Sequence, residues 1–206
     1  MTEEVEEEKL VFVPEEIYTE RTFEDVKEHP NKQAIEVLAK RGIVNGMDGK
    51  NFCPSNTMTR AEFATIVVQA LGLEEQQGKA FEDVPKDEWF FKYISTAQYH
   101  GIINGISETL FNPNGLITRQ EAAAMVVRAA SLCKIETALD DDAVRNILAQ
   151  FPDYTSSAQW AKESLAFCYN AKILDTSAEE IKPEENISRA EVAQMIYNML
   201  IYGKLI

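Results

Sequence analysis

The chain has 206 residues, 45% of them hydrophobic and 26% charged, a balance that buries a core and excludes a disordered segment. Its 20 Lys and Arg against 34 Asp and Glu give a formal charge of −14, which argues against sequence-independent binding to nucleic acid or an anionic membrane. A local cationic pocket remains open to it, because charges farther apart than about 10 Å are screened.

Residues 1–20 read as an acidic linker or the tail of an upstream region, with five glutamates in the first nine residues where a secretory leader would be basic and apolar. No run reaches the roughly eighteen apolar residues of a membrane span, so the chain is expected to be cytosolic or a fragment of a longer exported protein. From residue 21 onward it repeats itself. The first unit, 21–73, opens with Phe23-Glu24-Asp25 and continues into a short amphipathic helix facing inward with Ile35 and Leu38. Gly42-Ile43-Val44-Asn45-Gly46 stops that helix, Phe52-Cys53-Pro54 follows, and Thr59-Arg60-Ala61-Glu62 starts a second helix with an apolar stripe of Phe63, Ile66, Val67 and Ala70.

The second unit, 79–132, gives the same landmarks in the same order: Phe81-Glu82-Asp83, Ile94 and Ala97, Gly101-Ile102-Ile103-Asn104-Gly105, Phe111-Asn112-Pro113, and Thr118-Arg119-Gln120-Glu121 before Ala122, Met125, Val126 and Ala129. Residues 133–150 form a connecting helix over Ala143 to Leu148, N-capped by the aspartates 140–142. The third unit, 151–206, is the most divergent. It has Phe151-Pro152-Asp153, Leu165 and Cys168, then Lys172-Ile173-Leu174-Asp175-Thr176 without either glycine, Ile181-Lys182-Pro183, and Ser188-Arg189-Ala190-Glu191 before Val192, Met195, Ile196 and Met199. One unit is too small to bury its own stripe. The expected fold is therefore all-α, with the three second helices facing one another in a pseudo-threefold central bundle.

Thr or Ser followed three residues later by Glu is a capping box, and it accounts for Thr59, Glu62, Thr118, Glu121, Ser188 and Glu191 as helix hardware. It leaves Arg60, Arg119 and Arg189 unexplained, because a cation at the first helical position is mildly disfavoured by the helix dipole. Two readings stay open: an ion pair to an aspartate such as Asp25 or Asp83, or a bidentate fork for a carboxylate or phosphate beside the free N–H groups of the helix start. Trp89 and Trp160 follow Asp83 and Asp153 by six and seven residues, either as core or staple residues or as a platform for a sugar; the first unit has Pro30 and Asn31 there. Cys53, Cys133 and Cys168 make no paired framework and no zinc motif, His29 and His100 fall at unrelated points of the repeat, and no catalytic constellation is found. The chain is read as a non-enzyme without metal or cofactor.

In this order of landmarks, three times in tandem, the chain resembles the surface-layer homology domain of bacterial cell-surface proteins. The resemblance covers about 23–202 and implies a three-pronged spindle that anchors surface proteins, without a covalent bond, to a secondary cell wall polysaccharide, commonly one bearing ketal-linked pyruvate. It implies a secreted module of the S-layer or cell surface, a monomer whose repeats act as a trimer, with ligand grooves between neighbouring repeats. Arg60, Arg119 and Arg189 would meet the pyruvate carboxylate there, with Asp25, Asp83, Asp153, Trp89, Trp160, Gly46 and Gly105 as supporting groove residues. The loop with Asp175 and Thr176 is expected to build the weakest groove, since glycine is missing where a ligand would approach the backbone. A helical-repeat module for protein interaction or self-assembly is the alternative.

Overall fold

The structure is a computed structural model and describes residues 10–206. It is helical, and among the described residues no strand forms. In chain order the helices are α1 (Lys32–Lys40), α2 (Arg60–Ala70), α3 (Phe91–Tyr99), α4 (Arg119–Leu132), α5 (Asp141–Leu148), α6 (Lys162–Asn170) and α7 (Arg189–Tyr202). The first unit contributes α1 and α2, the second α3 and α4, the third α6 and α7, and α5 lies in the connecting segment. Residues 10–20 run along the first unit: Val11 is buried, Phe12 N–H donates to the Leu71 carbonyl at 2.9 Å, and Ile17 N–H to that of Lys40 at 2.9 Å. Gly72 sits at φ +56°, and a Cβ there would strike the Phe12 carbonyl.

The long helices α2, α4 and α7 touch one another pairwise, and their stripes, from Phe63 and Val67 through Ala122 and Val126 to Val192 and Ile196, are fully buried. The short helices are exchanged between units. Helix α3 packs on α2, α6 on α4, and α1 on α7, so each short helix covers the long helix of the preceding unit and the first unit closes back on the third. A stripe that one unit cannot cover is thus covered by the next, which makes the three units one cooperative core. Cys168 is fully buried in it, and burial raises its thiol pKa.

The helix starts lock the ring. The first N–H groups of an α-helix have no partner inside the helix. Here Arg60 and Ala61 N–H donate to the carbonyls of Gly115 and Pro113 at 2.9 and 3.0 Å, Arg119 and Gln120 to those of Glu185 and Pro183 at 2.9 Å each, and Arg189 and Ala190 to those of Asn56 and Pro54 at 2.8 and 3.0 Å. The third N–H, on Glu62, Glu121 and Glu191, goes to the hydroxyl of Thr59, Thr118 and Ser188, and each glutamate accepts from its cap residue's N–H, completing three capping boxes. The turn that supplies the carbonyls is held by the aspartate that opens its own unit. Asp25 accepts from Phe52 and Cys53 N–H, Asp83 from Phe111 and Asn112, and Asp153 from Ile181 and Lys182, all at 2.7–2.9 Å. The middle residue of each turn, Cys53, Asn112 or Lys182, is left-handed at φ +59°, +61° and +50°.

Candidate functional site

Those hydrogen bonds correct the expectation of free N–H groups for an anion at the helix starts. The first two are taken by the next unit and the third by the cap, so any anion must be held by side chains. The three arginines lie where neighbouring units meet. Arg60 is buried, and its Nε donates to the Phe111 carbonyl at 2.9 Å, Nη1 to Glu121 at 2.6 Å and Nη2 to the Asn104 carbonyl at 3.4 Å. Its guanidinium carbon stands 4.8 Å from the Phe111 ring centroid. Arg119 donates to Glu191 at 2.6 Å and to the carbonyls of Lys182 and Ile181 at 2.8 and 3.2 Å. Arg189 donates to the carbonyls of Asn45 and Phe52 at 2.7 and 3.0 Å and lies 4.5 Å over the Phe52 ring.

The ion pairs go to the capping glutamate of the next unit, not to Asp25 or Asp83. Arg189 breaks the pattern: among the described residues no carboxylate lies within ion-pair distance of it. Burial lowers the pKa of both Arg60 and Arg189, opposed by Glu121 and Asp83 for the first and by Glu62, Cys53 and Asp25 for the second, yet a guanidinium stays charged at neutral pH. Burial pushes the Glu191 carboxyl up, but the Ser188 hydroxyl and N–H, with Arg119, outweigh it and leave the group below the usual carboxylate range. A lowered folded pKa means stability that is complete above the unfolded value of 4.5 and lost as pH falls through the folded one. Glu191→Gln, which keeps a capping residue, should therefore flatten the fall in stability below about pH 4.5 in pH-dependent denaturant titrations.

A groove of about 430 Å³ opens beside Arg60. The loop Asn104-Gly105-Ile106 and helix α4, through Glu121, Ala124, Met125 and Arg128, line two sides, and Trp160 of the third unit closes it. Trp160 is 57% exposed, as Trp89 is at 56%, so neither indole is a core residue. Gly105 has no room for a Cβ, which would meet the Ser107 and Leu110 carbonyls and the Phe81 ring; Gly46 is confined in the same way by its own loop and Phe23. These glycines serve the loop's tight path.

Arg128 is the residue that sequence reasoning missed. It is half-buried, burial lowers its pKa, and it donates a long 3.4 Å hydrogen bond to the Ile102 carbonyl. With the Asn104 amide turned to face it, Nη2 gains an acceptor at 3.2 Å. Among the described residues no carboxylate pairs with it. The available signal was that, seven residues after the capping glutamate, the aligned helices carry Gln69, Arg128 and Asn198.

The counterpart groove at Arg119 has a similar volume, about 460 Å³, and a different chemistry. Asp175, Glu179, Glu180 and Glu191 line it with Lys182, and Asn31 of the first unit stands where Trp160 stands in the other. Lys182 is itself drawn to Glu180 and Glu185 at 3.9 and 3.8 Å. Gln120, in place of the usual alanine, is buried and accepts from Ala158 N–H at 3.0 Å, fixing the approach to Trp160.

The model of the S-layer homology domain matches the chain three times, at residues 22–64, 80–123 and 150–193. The chain is 34% identical over 184 residues to an amylopullulanase of Thermoanaerobacterium thermosulfurigenes, with 88% of the chain and 10% of that protein aligned. It is 34% identical over 166 residues to the surface-layer 125 kDa protein of Lysinibacillus sphaericus, covering 79% of the chain and 13% of that protein. With the S-layer protein sap of Bacillus anthracis it shares 29% over 179 residues, 85% of the chain and 21% of that protein. The chain thus spans between a tenth and about a fifth of these relatives.

Proposed function

The chain belongs to the S-layer homology domain family, and from that premise we propose that it is a cell-surface anchoring module that binds an acidic, pyruvate-bearing wall polysaccharide in the grooves between its repeats. Its relatives include surface-layer proteins and an amylopullulanase that are several times longer, which suits a module that holds larger proteins at the wall. The observation that carries the reading is Arg128, a half-buried guanidinium without a carboxylate partner among the described residues, beside Arg60 and an exposed Trp160 in one groove. The guanidinium meets a carboxylate, and the indole gives an apolar face to a sugar ring.

The grooves are unequal. The Arg60 groove has two arginines against Glu121, whereas the Arg119 groove sets four carboxylates against Arg119 and Lys182. An incoming anion is repelled in the second and attracted in the first. Arg189 has no carboxylate partner among the described residues and faces the first unit's loop at Asn45; by the threefold relation of the units we assign Trp89 to it as Trp160 belongs to Arg60, which makes this the second competent groove. Two grooves on one polymer would gain avidity through effective concentration. The test is sedimentation of the protein with purified walls: binding is expected to native walls and lost from walls stripped of acidic substituents by mild acid. Equal binding to both preparations would favour a protein-interaction module instead.

A further inference from the structure

The connecting segment builds a second concavity next to the Arg60 groove. Helix α5 packs on α6, and between them lies a depression of about 550 Å³, the size of a small-ligand site. Leu139, Val144 and Leu148 give it an apolar floor and Tyr154 an aromatic wall. Trp160 lines this depression and also lines the groove of Arg60 and Arg128, so one exposed indole is the partition between two adjoining sites.

The two sites differ in charge. At the α5 depression Arg145 is held by Asp142 at 2.6 Å, and the lining carboxylates Asp141 and Glu163 outnumber the one remaining cation, Lys162, so no cation is left in excess. Among the described residues the side chains of Asp141, Gln159 and Lys162 have no hydrogen-bond partner, which leaves both donors and acceptors for hydroxyl groups. An apolar floor, two aromatic walls and balanced polar groups suit an uncharged sugar ring.

We propose that the α5 depression is a subsite for an uncharged sugar residue adjacent in the same polymer to the acidic residue in the Arg60–Arg128 groove, the oligosaccharide crossing between them over Trp160. The proposal rests on the acidic-sugar reading of that groove and adds the neighbouring residue of the ligand.

Calorimetric titration with two probes tests it: the methyl glycoside of a pyruvylated hexose, and a trisaccharide of wall polysaccharide ending in a pyruvylated residue. The trisaccharide carries one acidic residue and so occupies one arginine groove. It should bind the unmodified protein at least about tenfold more tightly than the single sugar. Tyr154→Ala should reduce that gain to within about twofold and leave the single sugar's affinity unchanged. Asp141→Ala/Gln159→Ala, at exposed positions outside the core, should do the same with the fold intact. Equal affinity for the two probes, or a gain retained by the double variant, overturns the subsite. A trisaccharide that binds and responds to both substitutions while the single sugar does not bind sustains the subsite and overturns the acidic-sugar reading. No binding of either probe overturns both.

Discussion

Arg128→Ala should weaken binding of a pyruvylated sugar to its groove by roughly 10- to 100-fold, because a hydrogen bond to a charged group contributes about 1.5–3 kcal/mol. Its unfolding free energy should change by less than about 1 kcal/mol, since the side chain gives up only the 3.4 Å contact to the Ile102 carbonyl and one contact to the Asn104 amide. Titration of the variant beside a thermal melt separates the two quantities. A large loss of stability would make Arg128 a structural residue, and unchanged affinity would remove it from the site. Gln69→Ala, at the matching position of α2, where the amide makes only a 3.4 Å contact to the Tyr93 hydroxyl, serves as a control for the helix itself.

The second large effect is on stability. Arg60→Ala should cost about 2–4 kcal/mol, because it leaves the carbonyl of Phe111 and Glu121, whose side chain is 25% exposed, without their partner. For a chain of this length the melting temperature should fall by about 10 °C. Glu121→Gln keeps the capping box, so the double variant Arg60→Ala/Glu121→Gln should lose less than the sum of the two single changes. Arg119→Ala should cost only about 1 kcal/mol, as its pair with Glu191 is more open, the side chains being 12% and 42% exposed. Additive losses at Arg60 and Glu121 in denaturant titrations would show that the pair is not coupled. The motif arginine thus both ties one repeat to the next and faces the groove, and loss of binding on its removal is uninterpretable without the stability measurement.

Much of the fold was legible because it follows from periodicity and capping. The stripes Phe63-Ile66-Val67, Ala122-Met125-Val126 and Val192-Met195-Ile196 mark three helices with a common buried face, and the Thr/Ser to Glu spacing marks where they begin. The exchange of α1, α3 and α6 onto the preceding repeat was not legible, since a periodic pattern names the face that must be covered and not what covers it. For the same reason the arginine's partner was unreadable: Glu121 lies 61 residues from Arg60, beyond any local rule. The role of the opening aspartates is similar, with Asp83 closing on N–H groups 28 and 29 residues away. Trp160 shows the limit of residue statistics, because a tryptophan starting a helix is usually packed, and this one is left more than half exposed by the register of the third repeat on the second. Arg128 was hidden by its setting, a polar position on the outer side of a helix whose inner stripe carried the signal.

On the proposed function the repeats offer unequal grooves for an acidic sugar, two competent and one not. The chain has just two tryptophans, Trp89 and Trp160, so their indole N–H resonances report on the two grooves assigned as competent. Titrating the methyl glycoside of a pyruvylated hexose into isotope-labelled protein should shift both indole resonances at low concentration, while the backbone amides of Asn31 and Asp175 in the Arg119 groove stay in place. Shifts that begin at Asn31 and Asp175, or that develop together in all three grooves with one affinity, would contradict it.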